Sequence, residues 1–170
     1  MEFIARFEKV SEEQFLKDIE RHYSNDKFLK SLAEEEYSAI KLPKRATSRS
    51  AGYDFFSPFT FTLAPSESIL ITTGIRVCID EDWSLDCYPR SGLGCKYGIQ
   101  LCNTVGIIDS DYYYSDNEGH IMLKIKNTGD KEITIVQGEA FAQGKFCKYG
   151  ITVDDDAIGI RNGGFGSTGK

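Results

Sequence analysis

Apolar residues recur in this chain at two different spacings, and the change comes near residue 40. Before it, Phe15, Leu16 and Ile19 fall on one face at helical spacing, behind Ser11-Glu12-Glu13-Gln14. That tetrad is a capping box, in which a serine hydroxyl and a glutamine side chain satisfy amides left free in a first helical turn. The pattern predicts a helix over residues 11–22. A second short helix is predicted from Asp26 to Tyr37, with Phe28, Leu29 and Leu32 inward, and Lys41-Leu42-Pro43 ends the helical pattern. From Ile40 onward short apolar runs are punctuated by Gly, Pro, Asn and Asp, which reads as an all-β sandwich or barrel. Strands are predicted near residues 38–42, 52–56, 59–63, 67–71, 74–79, 84–89, 99–101, 107–109, 120–126, 131–135 and 139–147.

Composition narrows the class. At 170 residues, 41% of them apolar and 27% charged, the chain is long enough for one well-buried core and too short for two. No apolar run approaches the length of a membrane span, and residues 1–10 lack a signal-like apolar stretch. A soluble, cytoplasmic protein is expected. The net charge of -6 disfavours non-specific binding to nucleic acid or anionic lipid, so neither is expected as a partner. An anionic ligand would need local arginines and a metal to reverse the field. The five cysteines show no C-x-x-C spacing and only His22 and His120 could assist them, so they read as reduced, small buried residues in strands rather than as a metal cluster.

Chemistry concentrates between Tyr88 and Tyr112. Arg90, Ser91 and Gly92 offer a guanidinium, a hydroxyl and open backbone, a combination suited to an oligophosphate. Asp109, flanked by Ile108 and Ser110, is placed to activate a water, although an ordinary β-hairpin with a buried aspartate fits the same span. Asp54 reads either as a partner of metal-bound water or as a turn residue. Gln143 is a polar side chain inside an apolar strand, which is unfavourable unless it is hydrogen-bonded or serves a site. At the C-terminus Arg161, a glycine pair, Phe165 and Ser167-Thr168 offer a cation, free amides, hydroxyls and a stacking face. A disordered glycine-rich terminus is the alternative.

Together, A-G-Y-D (51–54), P-R-S-G-L-G (89–94), N-T-V-G-I-I-D-S-D-Y (103–112), G-E-A-F-A-Q (138–143) and R-N-G-G-F-G-S-T-G (161–169) resemble, in order, the five motifs of the trimeric deoxyuridine triphosphatase (dUTPase) family. The resemblance covers the chain from residue 51 onward and implies an all-β fold, a segmented β-barrel or jelly roll, to which the helical N-terminus is an extension lying outside the resemblance to the common short forms. It divides the chain into an extension (1–37), a β domain (38–153) and a glycine-rich arm (154–170) that closes the active site. The implied activity is hydrolysis of dUTP to dUMP and pyrophosphate by a homotrimer with shared sites. Asp109 would orient the water that attacks the α-phosphorus. The backbone of a hairpin over Asn103, Gly106, Ile107, Ile108 and Tyr112, closing near Gly119, would pair with uracil, and Tyr112 would exclude a 2′-hydroxyl. Arg90, Ser91 and Gly92 would hold phosphates from a second subunit, while Gln143 contacts phosphate or the catalytic water. Arg161, Phe165, Gly166 and Ser167 would close over the nucleotide from a third. Magnesium would be held by the triphosphate, with Asp54 acting on it through water and no direct protein ligand.

Three features depart from the family pattern. Ala140 stands where the fourth motif usually has arginine, which implies altered subunit packing more than lost activity. Residues 113–118 form an insertion expected to lengthen the hairpin tip. Arg161 lies four residues before Phe165 rather than five. The related dCTP deaminases use a glutamate at the position held here by Lys124, which argues against deamination. A binding module without catalysis would lack Asp109 or the tail, and both are present.

Overall fold

The computed structural model describes residues 2–23 and 36–163. In chain order it contains β1 (Ala5–Lys9), α1 (Glu12–Tyr23), β2 (Tyr53–Phe56), β3 (Phe61–Leu63), β4 (Ser68–Thr72), β5 (Ile75–Ile79), β6 (Trp83–Pro89), α2 (Ser91–Tyr97), β7 (Ile99–Leu101) and β8 (Gly106–Ile108). A 3₁₀ helix (Ser110–Tyr114), β9 (Met122–Asn127), β10 (Ile133–Ile135) and β11 (Ala140–Lys148) complete it. The three-residue strands β3, β7 and β10 alternate strictly: Phe61 and Leu63, Ile99 and Leu101, and Ile133 and Ile135 are buried while the residue between them is exposed. Period-two patterning thus gives these three strands one apolar face each. The faces meet in a single core that includes Phe55, Phe59, Ile71, Leu85, Ile125 and Phe141. All pairings are antiparallel, in sheets ordered β2-β11-β6-β8, β4-β9-β7, β1-β5 and β10-β3. This is the mostly-β, jelly-roll-like architecture expected.

The N-terminal segment enters that core. Phe15 and Ile19 of α1 are fully buried, each contributing about 1.5–3 kcal/mol by area removed from water. β1, which the apolar pattern does not announce, pairs along its whole length with β5, from Ala5 opposite Ile79 to Lys9 opposite Ile75. Its one inward aromatic, Phe7, packs edge-on against Phe55 at 5.8 Å and against Tyr53 and Phe146. The extension therefore begins with a strand and is not purely helical.

Other boundaries also differ. The strand expected over 38–42 is absent: residues 36–39 are helical, with Tyr37 Oη donating to the carbonyl of Val10. The predicted helix from Asp26 to Tyr37 lies mostly outside the described residues. α2 was not expected, since Ser91-Gly92-Leu93-Gly94 is poor helix sequence; Leu93 buries its side chain and Gly98 ends the helix in the left-handed region, its amide bonded to Gly94. β8 pairs with β6, and β7 with β9, so residues 99–108 are not a β7–β8 hairpin. Of the cysteines only Cys87 is buried, whereas Cys95 and Cys102 are exposed, which corrects the reading of all five as buried strand residues. No helix among the described residues is long and apolar enough to cross a membrane.

Glu36 is buried with one carboxylate oxygen lacking any hydrogen-bond partner, and burial pushes its carboxyl up to about 7. The folded state then holds a proton that the unfolded chain releases near the ordinary glutamate value of 4.5. Stability should therefore fall as pH rises through that window and be lowest above pH 7, by at most about 3 kcal/mol. Glu36→Gln should flatten this dependence and be the more stable protein at pH 8. Urea denaturation of both proteins at pH 5 and pH 8 checks it, and an unchanged slope in the variant would contradict it.

Candidate active site

β6 is the axis of the site, because it is hydrogen-bonded on one side to β8 and on the other to β11. Asp109 leaves the end of β8 and caps the 3₁₀ helix with extended backbone. Its half-exposed carboxylate lines a cavity of about 140 Å³ together with Asn103, Gly106, Ile107, Ile108, Tyr112 and Arg161. The structure brings the third motif and Arg161 of the same chain to one pocket, whereas the resemblance implied that Arg161 would arrive from a third subunit. Burial raises the Asp109 carboxyl above the usual carboxylate range, Asp111 and Asp86 add repulsion, and the guanidinium of Arg161 opposes the rise. Arg161 contacts Asp109 directly and its Nε donates to Asp111 at 2.8 Å. Asp111 was not among the expected site residues; its place two residues after Asp109 was the available signal. A second cavity of about 700 Å³ adjoins the first, sharing Asn103 and Met122.

Asp54, Arg90 and Gln143 form a separate cluster. Asp54 and Gln143 are opposite each other in the β2–β11 ladder, Arg90 Nε lies 3.3 Å from Asp54 Oδ1, and Gln143 Nε2 donates to the carbonyl of Pro89 at 3.1 Å. A side chain at Gly52 would meet Gln143 Oε1 at 2.8 Å, so glycine there makes room for the glutamine. Gly92 in α2 has the opposite situation: a Cβ there would meet nothing of this chain within 4 Å.

The two clusters do not meet. Ile108 is opposite Leu85, so Asp109 is level with Ser84, whereas Arg90 follows Pro89 at the other end of β6. From position 84 to position 90, strand geometry gives a separation of about 20 Å.

Tyr112 is buried, and burial raises its phenol further, keeping it an O–H donor; Oη gives its proton to the carbonyl of His120 at 2.8 Å and accepts one from Asn117 Nδ2 at 2.9 Å. Gly119 closes the segment at φ +71, where a Cβ would strike the Tyr112 carbonyl at 2.7 Å. The insertion 113–118 does not extend a hairpin tip. It continues the 3₁₀ helix into turns that fold back on the N-terminal segment, with Tyr113 Oη donating to Glu8 and the Arg76 guanidinium stacked on the Tyr113 ring at 3.6 Å. Lys124 is exposed on β9 and lines the larger cavity. Phe165, Gly166 and Ser167 lie outside the described residues.

A half-exposed carboxylate beside an arginine, in a small pocket with both polar and apolar walls, suits hydrolysis of an anionic substrate. The dUTPase family model matches residues 38–169, and the chain belongs to the dUTPase family. It is 42% identical over 135 residues to the deoxyuridine 5'-triphosphate nucleotidohydrolase of Lactococcus lactis subsp. lactis (strain IL1403), covering 78% of this chain and 90% of that protein. The Escherichia coli (strain K12 / DH10B) protein of the same name is 39% identical over 137 residues, covering 76% and 87%. The crystal structure of a dUTPase from Streptococcus mutans is similar with a TM-score of 0.61 at 34% identity, over 69% of this chain and 91% of that one.

Proposed function

We propose that the protein hydrolyses dUTP to dUMP and pyrophosphate in sites shared between the copies of a homotrimer. The observation that carries the reading is the place of Asp109: a half-exposed carboxylate in a pocket whose walls are the third-motif residues, with Arg161 against it. In the reaction the oxygen of water bonds to the α-phosphorus, Asp109 takes the proton, and the bond from the α-phosphorus to the bridging oxygen breaks, with its electron pair leaving on pyrophosphate. A carboxylate of ordinary acidity would be a weaker base for that water.

Separation along β6 supports sharing. The Asp109 pocket is at one end of β6, and Arg90, Ser91 and Gln143 of the same chain are at the other, about 20 Å away along the strand. They are available to a neighbour's nucleotide, where the open space at Gly92 lets phosphate approach the backbone. Arg161, Phe165, Gly166 and Ser167 complete the closure.

Magnesium fits this arrangement through the substrate. Among the described residues no three metal-ligating side chains converge, while Asp54 supplies one hard oxygen donor beside Arg90, suited to holding a metal-bound water. Bound magnesium would neutralise charge across the three phosphates, the main electrostatic demand of phosphoryl transfer. Uracil is selected by the backbone of residues 103–109, where thymine's methyl clashes and cytosine leaves polar groups unpaired.

Pyrophosphate release from dUTP, dCTP, dTTP and UTP tests the assignment. Preference for dUTP by about 10²-fold or more is expected in kcat/KM. Comparable rates with dCTP would sink it.

A further inference from the structure

The N-terminal helix lies outside the family match, which begins at residue 38, yet its buried polar residues run straight to the wall of the pocket. His120 is fully buried. Its Nε2 accepts the amide proton of Gly74 at 2.8 Å, so the ring proton is on Nδ1, which donates to Asp18 Oδ2 at 2.7 Å. Asp18 is buried as well; burial pushes its carboxyl up, but the bonds from His120 and from Gln14 Nε2, the latter at 2.8 Å, outweigh this and hold it below the usual range. The ring is thus fixed on both nitrogens, and the backbone of His120 with it. The carbonyl of that same residue is the acceptor for Tyr112 Oη.

A second tie reaches the same segment from the helix N-terminus. The sequence predicts a capping box closed by Gln14. Instead Ser11 Oγ accepts the Gln14 amide at 3.1 Å, and the reciprocal role passes to Glu118, whose two oxygens accept Ser11 N–H at 2.8 Å and Ser11 Oγ–H at 2.6 Å. Glu118 and His120, at one end of the stretch from Tyr112 to His120, are therefore both fastened to the N-terminal segment, and Tyr112 is fastened to His120.

We propose that Asp18 is a positioning residue for Tyr112, acting through His120, and that α1, with Glu118 as its outer tether, sets how strongly the enzyme excludes a 2′-hydroxyl. A pocket wall that discriminates by contact must be held to a fraction of an ångström, and displacement by about 1 Å is enough to lose large factors. Tyr112 is held from one side by Asn117 and from the other by His120; neither bond alone orients a ring whose support can slide. Asp18 makes no contact with the substrate in this scheme. The inference rests on the reading that Tyr112 faces the sugar of dUTP.

The experiment measures kcat and KM for dUTP and UTP with the full chain and three variants. Asp18→Ala leaves the Nδ1–H of His120 without its acceptor and should reduce the dUTP-to-UTP preference about tenfold or more, chiefly through a lower KM for UTP, with kcat for dUTP changed less than about threefold. Asp18→Asn keeps an acceptor oxygen and should restore most of the preference. Glu118→Ala cuts the tether outside the core and should give a smaller loss in the same direction, which decides the matter if Asp18→Ala does not fold. Unchanged preference in every folded variant, or equal losses of kcat for both substrates, overturns the proposal. A parent enzyme that does not prefer dUTP over UTP refutes the reading of Tyr112 instead, before any variant is compared.

Discussion

Asp109→Asn should lower kcat for dUTP by about 10² to 10⁴-fold while leaving binding of the nucleotide within a few-fold of the parent. Asparagine matches the size of the aspartate and can still accept from Arg161, so the cavity with Ile108 and Tyr112 keeps its shape. What disappears is the group that receives the proton as water attacks. Loss appearing in kcat rather than in KM distinguishes a base from a binding residue. Single-turnover pyrophosphate release, with nucleotide affinity from calorimetry, measures the two separately. A variant within threefold of the parent in kcat would mean that Asp109 is not the base.

Truncation after Gly159 is expected to have the next largest effect, a fall in turnover of about 10²-fold or more with no loss of folding. Val153, Ile158 and Ile160 are almost fully exposed, so the described part of the arm adds little to the core, whereas Arg161 sits on the Asp109 carboxylate. Closing residues of this kind complete a constellation and exclude water only when substrate is present. Removing Arg161 also removes the one influence that lowers the Asp109 carboxyl, so the acid limb of kcat/KM should move to higher pH in the truncated enzyme. Thermal melting and size in solution should match the parent. A truncated protein that falls apart into monomers, or one that retains full turnover, would contradict the role given to the arm.

The parts of the fold legible from residues are those where one rule acts alone. Alternation placed β3, β7, β9 and β10 to within about two residues, because each has one buried face and one solvated face. The helical spacing of Phe15 and Ile19 did the same for α1. β1 was hidden since Ala5-Arg6-Phe7-Glu8-Lys9 carries only one large apolar side chain; its stability comes from pairing with β5 and from the aromatic cluster around Phe7, neither of which is local. α2 was hidden for the opposite reason, as local propensity argues against a helix that tertiary contacts of Leu93 and the Gly98 cap impose.

The site divided similarly. The run from Asn103 to Asp109 with Tyr112, and Arg161 through its motif, were visible in sequence and share one pocket. Asp18 and His120 were not, because a buried pair 102 residues apart leaves no spacing to read. Equally invisible was the distance along β6 that keeps Arg90 from Asp109, which depends on the register of Leu85 with Ile108.

The bonds between Ser11 and Glu118 and between Glu8 and Tyr113 bear on how such an enzyme can be rebuilt. Grafting residues 113–118 alone onto a shorter relative would bring a carboxylate and a phenol with nothing to receive them. Grafting α1 alone would leave its first turn without the Glu118 contact. Only β1, Ser11 and α1 together with residues 113–118 form a transferable module, although 90 residues separate Tyr23 from Tyr113.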